Sequence, residues 1–266
     1  MMILSMAVIV VVVLFSGDYA RLGSTFFKMI ALLSLAVFVL GFWTRISVWK
    51  KGSGSFNTSR MVKEAIGSFF SGECFSASRL FQESKVRGIV LALTIWSFCL
   101  LTLGSIVLSL EYLLRIDLTS FGAFSSLMDY SGAILLFSVL FYLLRRVVVK
   151  SARSIAVMDD VLLLLLLLLI VVSGLAVKGL RIAYAGPLSG GSSPVGDILA
   201  GMFLSYSDEP MVLLKIKDGV WKFHALISFF FFAFIPFSKQ FHMFAAQIVT
   251  RDAEKRKKDL WRILHE

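Results

Sequence analysis

Six apolar runs follow one another along this chain, and the segments between them carry most of its charge. The runs fall at residues 1–15, 25–49, 86–114, 128–144, 161–177 and 220–248. A helix needs about 20 predominantly apolar residues to cross a hydrocarbon core. Inside that core every backbone N–H and C=O must be paired within the protein, so runs of this kind fold as α-helices. A water-soluble interior has no room for 58% hydrophobic residues at a mean hydropathy of +0.86. The sequence therefore predicts an all-α, polytopic membrane protein in contact with the lipid bilayer.

The net charge of +10 does not point to nucleic acid, because the basic residues sit in short segments flanking the apolar runs. Counting them sets an orientation. Segments 45–87, 145–153 and 251–262 are rich in Lys and Arg and are assigned to the cytoplasm, which puts the C-terminus there and the chain in the cell's inner (cytoplasmic) membrane. Residues 1–15 are short for a span and lack the basic start and cleavage site of a secretory signal, so they are read as an extra N-terminal helix. Residues 1–24 form this segment and its turn, 25–250 the helical bundle, and 251–266 a basic cytoplasmic tail. Residues 50–87 begin as a flexible KKGSGSFNTS and continue as an amphipathic stretch at the surface. The stretch AYAGPLSGGSSPVGDILAGMFLSYSDEP after the fifth span reads as a long irregular connection.

Chemistry-bearing residues are few. Cys74 and Cys99 do not form a CxxC motif, so no iron–sulfur or zinc site is built from this chain's own thiols. There is no P-loop, zinc motif or nucleophile–base constellation. No inverted repeat suggests a transporter. The last run, VWKFHALISFFFFAFIPFSKQFHMFAAQI, carries His224 and His242, which are 18 residues apart. In a continuous helix that spacing is five turns, placing both imidazoles on one face about 27 Å apart. One would lie near each surface of a membrane. Ionisable side chains inside a bilayer are costly, and imidazole is the usual protein ligand of haem iron, although a single histidine at an interface is often only a boundary residue. Pro236 lies between the two and should kink the helix.

Several stretches together resemble the nitrate reductase gamma-type membrane cytochrome b subunits, and more closely the branch serving heterodisulfide reductases and the menaquinone-linked complexes of sulfate reducers. They are VFVLGFWTRISVWKKG, KVRGIVLALTIWSFCLLTLGS, LMDYSGAILLFSVLFYLLRR, GLAVKGLRIAYAGP, SPVGDILA and WKFHALISFFFFAFIPFSKQFHMFAA. They cover roughly residues 30–250. The resemblance implies a five-helix cytochrome b-like core binding two b-type haems, one near each face. It further implies electron transfer between a menaquinone pool and a cytoplasmic iron–sulfur partner, alongside other membrane subunits. On that pattern His224 and His242 match the ligands on the last helix.

The sequence departs from the pattern in the third span, which has no histidine. The inner ligand position falls on Leu91, the outer one near Glu111 and Tyr112, and Lys178 stands where an acidic residue is expected. Three accounts stay open. One strong axial ligand, His224 or His242, has its opposite position empty or filled by Tyr112, Met128, Met202 or water; a neighbouring subunit supplies the missing ligands; or the chain has lost one or both haems and is an anchor, with or without a quinone site. Arg181 and Lys239 are candidate contacts for a propionate or a quinone, with snorkelling to the headgroups as the plainer reading. Asp159 and Asp160 are expected to cap the fifth span.

Overall fold

The computed structural model describes residues 25–52, 84–114, 122–149, 158–185 and 193–238. Among them there are six α-helices and no strand: α1 (Thr25–Gly52), α2 (Lys85–Leu114), α3 (Gly122–Val148), α4 (Met158–Ala185), α5 (Pro194–Tyr206) and α6 (Pro210–Phe234), the last followed by a single 3-10 turn, Ile235–Phe237. Among the described residues, four segments are long and apolar enough to cross a membrane: Lys85–Leu108, Ala123–Val148, Asp160–Ala185 and Pro210–Phe237. The described apolar part of α1 is Met29–Arg45. The protein is an all-α, polytopic helical bundle. The expected N-terminal helix, the amphipathic stretch within 53–83 and the basic tail lie outside the described residues.

Several boundaries differ from expectation. The fourth span begins at Gly122 and the fifth continues to Ala185, because Lys178 and Arg181 are good helix formers and a cation near a helix C-terminus is favourable. The connection read as irregular contains α5, which starts with Pro194 in its first turn and Asp197 close behind, an ordinary helix start. The last span begins ten residues early, at Pro210, and stops at Phe234. Pro236 has no N–H to continue the ladder. The chain closes instead on Ile235, whose carbonyl accepts from the Ser238 N–H at 3.1 Å and the Ser238 hydroxyl at 2.8 Å, and Ser238 is extended. The five-turn register proposed for His224 and His242 therefore does not run through Pro236.

The described residues fall into two packed units, 38–52 with 84–92 and 234–238, and 25–37 with those between 93 and 233. In the smaller one α1 passes so close to the 3-10 turn that a Cβ on Gly41 would lie 2.7 Å from the Pro236 ring. In the larger one Leu135, Val139 and Val171 form a core between α3 and α4, flanked by Phe98 and Leu101 of α2. Helix α6 is held by three others: Ser34 donates to the Phe229 carbonyl at 2.6 Å, Phe98 tilts against Phe231 at 6.2 Å, and α4 meets it at His224. Hydroxyls elsewhere bond back to the carbonyl four residues earlier, as Thr102 does to Phe98, Ser131 to Leu127 and Ser138 to Ile134. That is how a polar side chain is satisfied in a span without a partner helix.

Helices α3 and α4 run antiparallel, since Arg146 meets Asp160 at 3.6 Å at one end while Asp129 pairs with Lys178 toward the other. Asp129 has no solvent exposure. Its Oδ1 faces the Lys178 ammonium, and its Oδ2 accepts from the Ser193 hydroxyl at 2.8 Å and the Gly196 N–H at 3.1 Å. Lys178 also donates to the Ser125 carbonyl at 2.8 Å. Ser193, at the start of α5, makes no cap bond of its own; a carboxylate from α3 meets the orphan N–H of α5 instead. The fit of α5 on α4 is equally close, because a Cβ on Gly179 would stand 2.6 Å from Leu199 Cβ and one on Gly196 2.7 Å from the end of Ile182.

Removing one partner of such a pair strands the other. Asp129→Ala should destabilise the protein by about 3 kcal/mol or more, seen as a lower midpoint in detergent thermal melts and faster proteolysis around residues 193–206. Asp129→Leu combined with Lys178→Met, which removes both charges, should recover part of that loss; a double variant no more stable than Asp129→Ala would contradict the pairing. Gly179→Ala should loosen α5 in the same proteolysis assay, since Leu199 Cβ cannot swing aside.

Candidate functional site

His224 lies on α6 where α6 touches α4, and its surroundings follow from two adjacent residues of α4, Ser173 and Gly174. Glycine leaves the space: a Cβ at position 174 would stand 3.1 Å from His224 Cε1 and 3.6 Å from Nδ1. Serine supplies the polar contact, with its Oγ 2.9 Å from His224 Nδ1. The one hydroxyl proton of Ser173 has acceptors within its own helix, the Leu169 carbonyl at 2.6 Å and the Ile170 carbonyl at 3.1 Å. In the tautomer with the proton on Nδ1, His224 donates to Ser173 Oγ while the Ser173 hydroxyl proton goes to one of those carbonyls. The proton on Nδ1 leaves the lone pair on Nε2. An imidazole fixed in that tautomer by an outer hydrogen bond is ready to bind a metal through Nε2. One turn further along α6 the Ser228 hydroxyl donates to the His224 carbonyl at 2.7 Å, so the backbone there is also secured.

Beyond Gly174, α4 becomes polar. Lys178 is held by Asp129 and Ser125. Arg181, next on the same side, is half-buried and interacts electrostatically with Asp129. Tyr184 carries the Lys217 ammonium of α6 over its ring, 5.2 Å from the centroid. Lys217 is only 7% exposed, and Asp218 Oδ1 lies 4.0 Å from its Nζ.

The residues expected from the sequence are distributed unevenly over this geometry. His224 and Arg181 fall on facing stretches of α6 and α4. His242 and Lys239 lie outside the described residues, and so do the side chains of Glu111 and Tyr112 at the end of α2. Met128 is engaged with α2, where a Cβ on Gly104 would collide with its sulfur, and Met202 is 64% exposed on α5; the described contacts place neither against His224. Leu91 lies near the start of α2, half-buried. Asp160 is paired with Arg146 across the α3–α4 end as well as sitting in the first turn of α4. Cys99 is a half-buried thiol of α2, and no group of three or more His, Cys, Asp or Glu that could hold a metal ion occurs among the described residues.

A b-type haem asks of the protein at least one nitrogen or sulfur donor and a way to orient it. The described residues meet that demand once, through His224 Nε2 with Nδ1 held by Ser173. They do not provide a second imidazole opposite, since α2 carries none. The fit is thus to a haem held through one strong ligand of this chain.

Sequence reasoning passed over Ser173, Gly174, Asp129, Ser193 and Lys217. The Ser-Gly step directly after the leucine run was a readable signal of a close helix contact, and a lone Asp within a span was another.

With the fold and this site described, similarity to known proteins can be placed on them. The nitrate reductase gamma subunit family matches residues 23–251. An EtfAB:quinone oxidoreductase of Syntrophomonas wolfei subsp. wolfei is 27% identical over 241 residues, which are 85% of this chain and 33% of that protein. The chain thus spans about a third of the relative's length. No solved structure matches. The match takes in all the described helices, and the chain belongs to the nitrate reductase gamma subunit family.

Proposed function

We propose that this chain passes electrons between a quinone pool, menaquinone by the resemblance, and an iron–sulfur partner docked on its basic cytoplasmic face, with b-type haem bound through His224. The observation that carries the reading is the contact between His224 Nδ1 and Ser173 Oγ at 2.9 Å, which supports Nε2 as the donor toward a metal. The relative named for a quinone oxidoreductase supports the quinone. The distribution of basic residues supports the cytoplasmic partner and an inner-membrane location. On that orientation His224 belongs to the outer half of the membrane, and His242, if it is a second ligand, to the cytoplasmic side.

When bound, haem supplies a one-electron carrier within the lipid. The chain's own part is to orient that carrier and keep it dry. Ser173 fixes the tautomer and rotation of the His224 ring; Gly174 lets the ring approach α4. The core of Leu135, Val139 and Val171 and the neighbouring leucines exclude water from the centre of the bundle.

A second reading has its own observation. Because α2 carries no histidine, the chain's own residues do not make two bis-imidazole sites, and a haem-depleted anchor that docks the other redox subunits and retains a quinone site satisfies the same fold. Reduced-minus-oxidised absorption spectra of the purified complex, with haem extracted and counted per copy of this subunit, separate the two. The proposal expects at least one haem b attributable to this chain. Absence of haem, in a complex that remains intact, would make the anchor the better account.

Within the haem reading, His224→Ala should abolish one b-type signal, and His242→Ala should remove a different one if two haems are present. Ser173→Ala should retain the signal of the His224 haem but weaken its retention about 10-fold or more and raise its midpoint potential, because loss of the Nδ1 acceptor makes the imidazole a poorer donor. Spectra unchanged in His224→Ala would remove the ligand assignment.

A further inference from the structure

Helix α5 has 13 residues, PVGDILAGMFLSY, of which Asp197 alone is charged. At 1.5 Å per residue it is about 20 Å long, too short to cross a hydrocarbon core. One face packs on the bundle: Gly196 and Ala200 are buried, Leu199 and Phe203 lie against Gly179, and Gly196 lies against Ile182. The other side is scarcely more polar. Ile198, Met202 and Tyr206 follow one another turn by turn and are 68%, 64% and 79% exposed, with Leu204 exposed as well. A helix that is apolar all round belongs in an apolar medium.

The rise of α4 gives the level at which α5 crosses it. Asp160, paired with Arg146, marks one charged end of the span. Gly179 follows Asp160 by 19 residues, which is about 28 Å of helix against a hydrocarbon thickness of roughly 30 Å. Helix α5 therefore lies at the far hydrocarbon boundary. The tyrosines exposed among the described residues, Tyr130, Tyr184 and Tyr206, all fall toward that end, and tyrosine is enriched where lipid meets water. On α3 the exposed row Leu127, Tyr130, Ile134 and Phe137 continues from the same level into the span at helical spacing. The apolar side of α5 thus adjoins a surface that faces lipid.

The polar groups at both ends of α5 are met within the protein. The Gly196 N–H and the Ser193 hydroxyl donate to buried Asp129. At the other end the Ser207 N–H donates to the Phe203 carbonyl at 3.1 Å, and the Ser205 hydroxyl donates to the Met202 carbonyl at 2.7 Å. A surface helix in water has no such need, because water completes its ends; a helix in contact with lipid does.

We infer that α5 is an interfacial helix whose outward face is covered by phospholipid, with Ile198 and Met202 among the acyl chains and Tyr206 at the headgroups. Such helices sit about 5–10 Å into the boundary between headgroups and chains. Asp129 and Gly179 hold it to the spans. No residue of the His224 site enters the inference, which stands whether or not haem is bound.

The test uses the intact wild-type complex in nanodiscs of phosphatidylethanolamine and phosphatidylglycerol, so no variant has to fold. Hydroxyl radicals generated in the water oxidise methionines that water reaches. Met202 and Met211 are 64% and 63% exposed, and Met211 follows the acidic pair Asp208 and Glu209. Met202 should be oxidised several-fold more slowly than Met211. In the same nanodiscs, a phospholipid carrying a diazirine in its acyl chain should label residues 194–206 on illumination, as it labels the α3 peptide that contains Phe137. Equal oxidation of the two methionines would put α5 in water and overturn the inference. Protection of Met202 without lipid label on 194–206 would overturn it too, by assigning the face to another protein subunit.

Discussion

A carboxylate sealed inside an apolar bundle has to have its charge met by neighbours, and Asp129 determines how several elements lie together. Its two oxygens are shared between the Lys178 ammonium on α4 and the first turn of α5. A buried ion pair contributes little net stability compared with a well-packed apolar alternative, because both charges leave water. What it does contribute is selectivity, since a sliding of α3 against α4 by one turn would leave a carboxylate and an ammonium uncompensated in lipid. The pair ties α3 to the stretch of α4 that begins, one turn before Lys178, with Ser173 and Gly174, the residues that meet α6. The site depends on it without touching it.

How far this could be read from the sequence depends on the range of the interaction involved. Apolar runs identify spans because lipid imposes one solution on any long uncharged stretch, and the runs around 86–114, 128–144 and 161–177 all became helices. Their ends were harder. Lys178 and Arg181 look like a boundary by charge, yet the helix continues because one is neutralised by Asp129 and the other sits near a helix end. Helix α5 was locally legible, with Ser193, Pro194 and Asp197 in the order of a helix start, but the Gly- and Ser-rich stretch ahead of it dominated the reading. That its cap comes from Asp129, 64 residues away, was beyond any local pattern. His224 was found by its residue type. Ser173 was not, because a serine in a span usually bonds only to its own helix, as Ser131 and Ser138 do here.

The same contrast bears on the missing histidines of α2. A bis-imidazole site is specified by two helices, and a sequence that retains only one side keeps half of the information. His224 itself is closely held: the ring is seated on Gly174, the Ser173 hydroxyl lies 2.9 Å from Nδ1, and the backbone carbonyl is bonded by Ser228. An imidazole of no use in the span could be replaced by any apolar residue at lower desolvation cost. The donor geometry of His224 is thus a separate reason, independent of family membership, to place chemistry on α6.

Helix α4 shows how the two demands on a membrane redox subunit are divided along one element. Its first half, from Leu162 to Leu169, is leucine throughout: Leu164, Leu167 and Leu168 pack against the core shared with α3, Leu163 and Leu166 are buried, and Leu165 and Leu169 are exposed. Such a segment packs and excludes water but distinguishes nothing. From Ser173 onward the helix carries Ser173, Gly174, Lys178, Gly179, Arg181 and Tyr184, and each of these meets a particular neighbour on α3, α5 or α6. Polar specificity concentrated toward one end of a span costs less than the same groups at its centre, because charged side chains there are closer to the interface. It also places the ordered part of the bundle where a carrier near one membrane face would need orientation, and leaves the remainder free to be simply apolar.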